Sequence, residues 1–228
     1  MSEPGDEGTP TTWRELAVAR SLDPARARAE KRVQRFLDAA LELMMSSDGK
    51  EFTVQEVVER SGQSLRSFYQ YFAGKYELLL ALFEESVRST AVHLQEVVDA
   101  EDVPIERLHA FLVDYYRICH LNPKGRGSKK QPAPAMAEFA QQLLTDHPKE
   151  ASRAFEPLVA LLESLLDEAA AAGGIQAGLN SRRIAGVLLQ AIMFNSFAST
   201  ISGSSVRSDP SEGAEELWGL VLGGIGAR

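Results

Sequence analysis

The sequence predicts an all-α protein. Past Ala25 the apolar residues recur at spacings of three and four, and no run of strict alternation marks a strand. Helix starts and stops are written between these stretches: a capping box at Thr53, a glycine turn at Ser61-Gly62, Pro104 in a first turn, and a stop at Gly173-Gly174. The composition agrees, with 44% hydrophobic and 25% charged residues in a chain of 228, enough for a buried core.

The first strong helix is expected from about Ala29 to Met45, with Val33, Phe36, Leu37, Ala40, Leu41 and Met44 on one face, ending near Ser46-Ser47-Asp48-Gly49. A short helix over Thr12 to Arg20 is expected upstream, interrupted by Leu22-Asp23-Pro24. Thr53 and Glu56 have the spacing of a capping box, and Phe52 and Val57 that of a hydrophobic staple, so a short helix should start at Thr53 and end at Ser61-Gly62. Ser64 can cap another in which Leu65, Phe68 and Phe72 fall at i, i+3 and i+7. Two short helices joined by a tight glycine turn form a helix-turn-helix.

A long helix follows from Lys75 to about Ala100, with Leu78, Leu79, Leu82, Phe83, Val87 and Leu94 inside. Pro104 opens the next, which carries Ile105, Leu108, Leu112, Tyr115 and Cys119 on one stripe. Asn122 to Ala135 reads as a loop, basic at Lys124, Arg126, Lys129 and Lys130. Further helices are expected at about 134–146, 148–172 and 181–201, then a last one from Asp209-Pro210-Ser211-Glu212, whose Gly219, Gly223, Gly224 and Gly226 leave its end to fray unless it is packed.

The net charge of −8 is unevenly spread. Residues 1–25 carry 2 basic and 5 acidic side chains, residues 26–75 carry 9 and 7, and residues 76–228 carry 13 and 20. One mildly basic segment in an acidic chain fits a small part that touches nucleic acid while the rest does something else. The single cysteine, Cys119, excludes an internal disulfide framework and a Cys-Cys zinc site, and His109 and His120 lack the companions a metal needs. No apolar stretch reaches bilayer length and the first ten residues lack the pattern of an export signal, so a cytoplasmic location away from membranes is expected. There is no glycine-rich phosphate loop, no Gly-x-Ser-x-Gly elbow and no nucleophile with a base, which leaves an enzyme without machinery.

The stretch Phe52 to Lys75, through Gly62-x-Ser64, Phe68-Tyr69-x-Tyr71-Phe72 and Lys75 followed by Leu78-Leu79, resembles the DNA-binding domain of the tetracycline-repressor (TetR) family. The likeness covers roughly residues 30–85. It implies a homodimer of nine-helix subunits, with an N-terminal three-helix DNA-binding domain and a C-terminal six-helix ligand-binding and dimerisation domain. On that basis residues 1–28 are an extension or arm, 29–75 the DNA-binding domain, and 76–228 the ligand-binding and dimerisation domain.

The resemblance makes Leu65, Arg66, Tyr69 and Gln70 base-facing candidates, with Gln55 a further one; Thr53, Ser67, Tyr71 and Lys75 match phosphate positions. The chemistry fits: an arginine fork can meet a guanine edge, and a glutamine amide supplies the donor and acceptor that adenine needs. Two residues depart from the family pattern. Gln63 stands where an apolar residue is usual, and Leu65 where many members are polar, so Leu65 either meets a thymine methyl or folds back beside Gln63. In the basic run Arg26, Arg28, Lys31, Arg32 and Arg35, the first two and Arg32 are candidates for an arm adding phosphate or minor-groove contacts; a solvated helix face is the alternative.

The family likeness also places a small-molecule effector among the helices after Lys75. Tyr115, Tyr116, Cys119, His120, Met136, Phe139 and Asn195 are the candidate lining residues, and an apolar pocket with few polar groups would suit a hydrophobic ligand. The expected action is repression released by that effector at a palindromic operator. A helix-turn-helix protein working through a protein partner, or as an architectural factor, is the alternative. No cofactor is expected. The helices 181–201 and 209–226 would form a four-helix interface between two subunits.

Overall fold

A computed structural model of the chain describes residues 13–46, 52–120, 134–202 and 210–227, with the side chains at 13–23, 45–46, 134–138, 197–202 and 210 outside that description. The basic loop and the expected cap Asp209 therefore lie outside the described residues. What is described is helical: α1 (Trp13–Ser46), α2 (Val54–Ser61), α3 (Leu65–Tyr71), α4 (Lys75–Val98), α5 (Pro104–His120), α6 (Pro134–Asp146), α7 (Pro148–Ala171), α8 (Ser181–Ser202) and α9 (Pro210–Ile225). The all-α fold with an N-terminal helix-turn-helix is as the periodicity predicts.

α2 starts as its sequence dictates. The Thr53 amide donates to Glu56 Oε2 at 2.6 Å, and the Glu56 amide donates to Thr53 Oγ1 at 3.2 Å, a complete capping box. Phe52 and Val57 are both buried on either side of the cap, and Gly62 takes the left-handed conformation (φ 64°) that ends the helix. Ser64 caps α3 by accepting from the Ser67 amide at 3.1 Å. α3 is then seated on α1 by aromatic rings: Phe68 and Phe72 meet Phe36 edge-on at 5.4 and 6.1 Å between centroids. Such pairs add about 0.5–1.5 kcal/mol each beyond area burial.

One buried cluster runs from this aromatic nucleus along α4, through Leu78, Leu82, Val87 and Leu94, into the C-terminal helices. α4 packs on α1, α5 and α7; α5 also meets α7 and α9, and α7 meets α8. The helix that begins next to the helix-turn-helix thus ends inside the C-terminal part.

One expectation is corrected. α1 is continuous through Pro24, where an interruption is expected. A proline removes one backbone hydrogen bond, and residues 24–28 of the helix are exposed, so nothing packed against them is disturbed as the helix continues. The glycine-rich end of α9 is tied down, which meets the condition on which it does not fray. The Gln176 amide donates to the Ile225 carbonyl at 2.8 Å, the Ala227 amide to the Gly174 carbonyl at 3.3 Å, and Ile175 pairs with Gly226 in an isolated antiparallel bridge. These bonds come from the turn after α7 and offset the backbone entropy of the glycines.

Candidate nucleic-acid interface

The cap geometry aims the outer face of α3 at solvent. Phe68 is fully buried, whereas Tyr69 is 57% exposed, Leu65 is 42% exposed, and Arg66 and Gln70 are exposed. Leu65 therefore faces outward and does not fold back beside Gln63. Gln55 is exposed on α2, where its amide donates to Glu59 at 3.0 Å. The five base-facing candidates are thus all on the solvent side of the helix-turn-helix.

The phosphate candidates are less uniform. Thr53 and Lys75 come together at the starts of α2 and α4: the Lys75 ammonium lies 4.8 Å from the centroid of the Phe52 ring, next to the capping box. Hydrogen bonds from the Thr53 amide and hydroxyl hold the Glu56 carboxyl below its ordinary range, and the nearby Lys75 charge adds to this. Tyr71 is half-buried against the core. Ser67 differs from expectation, because its hydroxyl is turned inward and has no hydrogen-bond partner among the described residues. In this rotamer it cannot reach a phosphate; rotation about χ1 is required first.

The arm candidates belong to α1. At 3.6 residues per turn, Arg26 lies roughly opposite Arg28 and Arg32. It pairs with Glu30 at 2.8 Å, while Arg28 Nε donates to the Pro24 carbonyl at 3.0 Å. Arg28 and Arg32 share their face with Lys31 and Arg35 of the same run. A helical projection of the sequence carries that signal.

The effector candidates fall into separate groups. Tyr115 is buried beside Cys119, and burial pushes its phenol well above the usual range and the Cys119 thiol up to about 12. That thiol is protonated at neutral pH. Tyr116, His120 and Asn195 are brought together: the two rings stack at 3.9 Å, His120 Nδ1 faces the Tyr116 carbonyl at 2.9 Å, and Nε2 lies 3.3 Å from Asn195 Oδ1. Phe139 sits apart from these, buried against Phe83 and Tyr76. Met136 lies on α6, its side chain outside those described. A depression of about 580 Å³ between α7 and α8 is lined by Glu163, Asp167, Leu179, Asn180 and Ser181 to Arg183, and by none of the candidates.

Among the described residues no group of three or more His, Cys, Asp or Glu could hold a metal, and no helix is long and apolar enough to cross a membrane. His109 instead bridges helices, 3.0 Å from Glu215 of α9 and with its ring tilted at 60° to Trp218, 5.1 Å between centroids.

A capped helix-turn-helix with an exposed polar recognition face, continued by a long helix into an all-helical C-terminal part, defines a DNA-binding regulatory protein. Residues 36–82 match the model of the family described as bacterial regulatory proteins, tetR family. The chain matches no curated protein in sequence.

Among solved structures, the fatty acid degradation regulator FadR from Bacillus halodurans is similar at a TM-score of 0.64 and 19% identity, over 86% of this chain and 97% of that one. FadR from Bacillus subtilis, solved in complex with stearoyl-CoA, gives 0.60 and 16% over 84% and 98%. SmeT, repressor of the Stenotrophomonas maltophilia multidrug efflux pump SmeDEF, gives 0.61 and 16% over 86% and 91%. At these identities the likeness is one of fold.

Proposed function

We propose that this chain is a ligand-responsive transcriptional regulator that binds a palindromic operator as a homodimer and is released by a small hydrophobic effector. The observation that carries the reading is the outward row Leu65, Arg66, Tyr69 and Gln70 on a helix locked from behind by Phe68. Recognition helices of this kind enter the major groove with their N-terminal residues toward base edges. Thr53, Lys75 and Tyr71 flank the row as phosphate contacts. The exposed Val187 and Phe194 on α8 and Leu220 on α9 support pairing of those helices between two subunits.

α4 supplies the coupling. A change among α5, α6 and α7 would tilt it and alter the separation of two recognition helices, which must match one DNA turn of about 34–36 Å. That one similar fold holds stearoyl-CoA supports an effector with a long apolar part, and Tyr116, His120 and Asn195 would supply polar contacts at one end of its site.

The test begins with selection of duplexes from a random library by the full chain, followed by footprinting and mass measurement. A symmetric protected site bound by two chains is expected; enrichment of no sequence would overturn the reading. Acyl-CoA thioesters and other apolar compounds are then screened by thermal shift. Binders should weaken affinity for the selected duplex by about 5–150-fold. Binders that leave it unchanged would remove the effector half of the proposal.

A further inference from the structure

The outer side of α3 is divided by chemistry. At 3.6 residues per turn, the order around the helix runs from the buried Phe68 through Leu65 and Tyr69 to Arg66 and Gln70. Leu65 and Tyr69, about one turn apart, therefore form an apolar column between the core and the polar column of Arg66 and Gln70. Among the described residues of the helix-turn-helix these two are the exposed large hydrophobic side chains, Leu65 at 42% and Tyr69 at 57%. Their placement is held from behind. The Ser64 hydroxyl accepts from the Ser67 amide at 3.1 Å and the Ser64 carbonyl from the Phe68 amide at 3.0 Å, which fixes Leu65 as the first residue of the helix. The Tyr69 ring meets Phe68 edge-on at 5.4 Å between centroids.

A leucine exposed in the first turn of a recognition helix has one apolar counterpart in the major groove. Every base pair lines that groove with hydrogen-bond donors and acceptors, and the C5 methyl of thymine is the apolar group among them. An isobutyl group laid on any other edge strips water from polar atoms and returns no hydrogen bond. Against a methyl it buries apolar surface on both sides and leaves nothing polar unpaired. Arg66 and Gln70, in the neighbouring column, carry the donors and acceptors for adjoining bases, so hydrogen bonding and methyl contact are separated on α3.

We infer that Leu65, with the Tyr69 ring beside it in the column, reads the C5 methyl group of a thymine in each half-site, so that recognition depends on a 5-methylpyrimidine at that position. The inference rests on the DNA-binding reading above. It goes beyond that reading by assigning one base, and one group on it, to one side chain that has no hydrogen bond to offer.

The experiment uses the full chain and a duplex that it selects from a random library. Each thymine is replaced in turn by uracil, which keeps every hydrogen-bonding group on the groove edge and removes the methyl alone. At one symmetric pair of thymines, uracil should weaken binding about fourfold when placed in one half-site and about fifteenfold in both, the worth of one methyl burial per subunit. With cytosine at the same pair, 5-methylcytosine should bind about fourfold more tightly per half-site than cytosine. In Leu65→Ala, checked first for helicity and chain association, both ratios should fall to about one. In Tyr69→Phe, which keeps the ring, the ratios should persist whatever affinity is lost with the phenol. Should Leu65→Ala misfold, the uracil and 5-methylcytosine ratios of the unaltered chain still decide whether a methyl is read. Equal affinity for thymine and uracil at every position would overturn the inference while leaving recognition by α3 standing; so would a methyl dependence that survives unchanged in a folded Leu65→Ala. Failure of the unaltered chain to enrich any sequence would instead remove the DNA-binding reading and the methyl contact with it.

Discussion

The ammonium of Lys75 lies 4.8 Å from the centroid of the Phe52 ring, joining the first residue of α4 to the residue that precedes the cap of α2. This contact closes the helix-turn-helix unit from outside the core and holds a positive charge next to the start of α2, where free backbone amides also favour anions.

Lys75→Ala should therefore have two separable effects. Without the cation–π interaction, stability should drop by about 0.5–1 kcal/mol, read by denaturant unfolding. Without the ammonium to neutralise one phosphate per subunit, the salt slope of DNA binding should fall by nearly 2 in a dimer, with all sequences weakened alike. A changed base preference would contradict the phosphate role.

Arg66 stands exposed in the first turn of α3. Arg66→Ala should cost about 1–3 kcal/mol per half-site on the selected duplex, and much less on a duplex altered at the contacted pair. Affinities on matched duplexes decide it. A uniform loss with a reduced salt slope would move Arg66 to the phosphate group and leave base reading to Tyr69 and Gln70.

The capping box ties stability to pH. Glu56 is held below its ordinary pKa in the folded chain, so the unfolded chain binds more protons in that window. The stabilisation is complete above the unfolded carboxyl value and is lost as pH falls through the depressed folded one. Glu56→Gln should flatten this part of the stability curve in acid titrations of unfolding. Thr53→Ala should lower stability by about 0.5–2 kcal/mol.

Gly213 of α9 is constrained by Tyr116. A Cβ built there would lie 2.6 Å from the Tyr116 hydroxyl, and the ring cannot easily yield because it is stacked on His120. Gly213→Ala should thus destabilise by about 1–3 kcal/mol despite its helix preference. In a Tyr116→Phe background the same change should be less harmful, and additive losses in the double-mutant cycle would show that the two residues do not meet.

Much of this protein is determined by short-range chemistry. The box at Thr53 and Glu56, the left-handed turn at Gly62 and the cap at Ser64 each involve residues within five positions of one another, so the helix-turn-helix and the outward row on α3 are legible in the sequence. The side that Leu65 takes is open there, because Gln63 and Leu65 break the apolar pattern together; packing of Phe68 and Phe72 on Phe36 turns it outward.

Elsewhere the answer depends on partners far away in the chain. The end of α9 holds because Gly174 to Gln176 bond to it from about fifty residues earlier. The continuity of α1 through Pro24 is decided by the folded chain, and the inward turn of the Ser67 hydroxyl depends on its packing. The effector candidates share helices by periodicity, yet tertiary packing divides them, joining Tyr116 and His120 to Asn195 and Phe139 to Phe83. Local hydrogen-bond rules act within a few residues and can be read from order alone, whereas the burial of a side chain and the partner it finds are set by which helices meet in space.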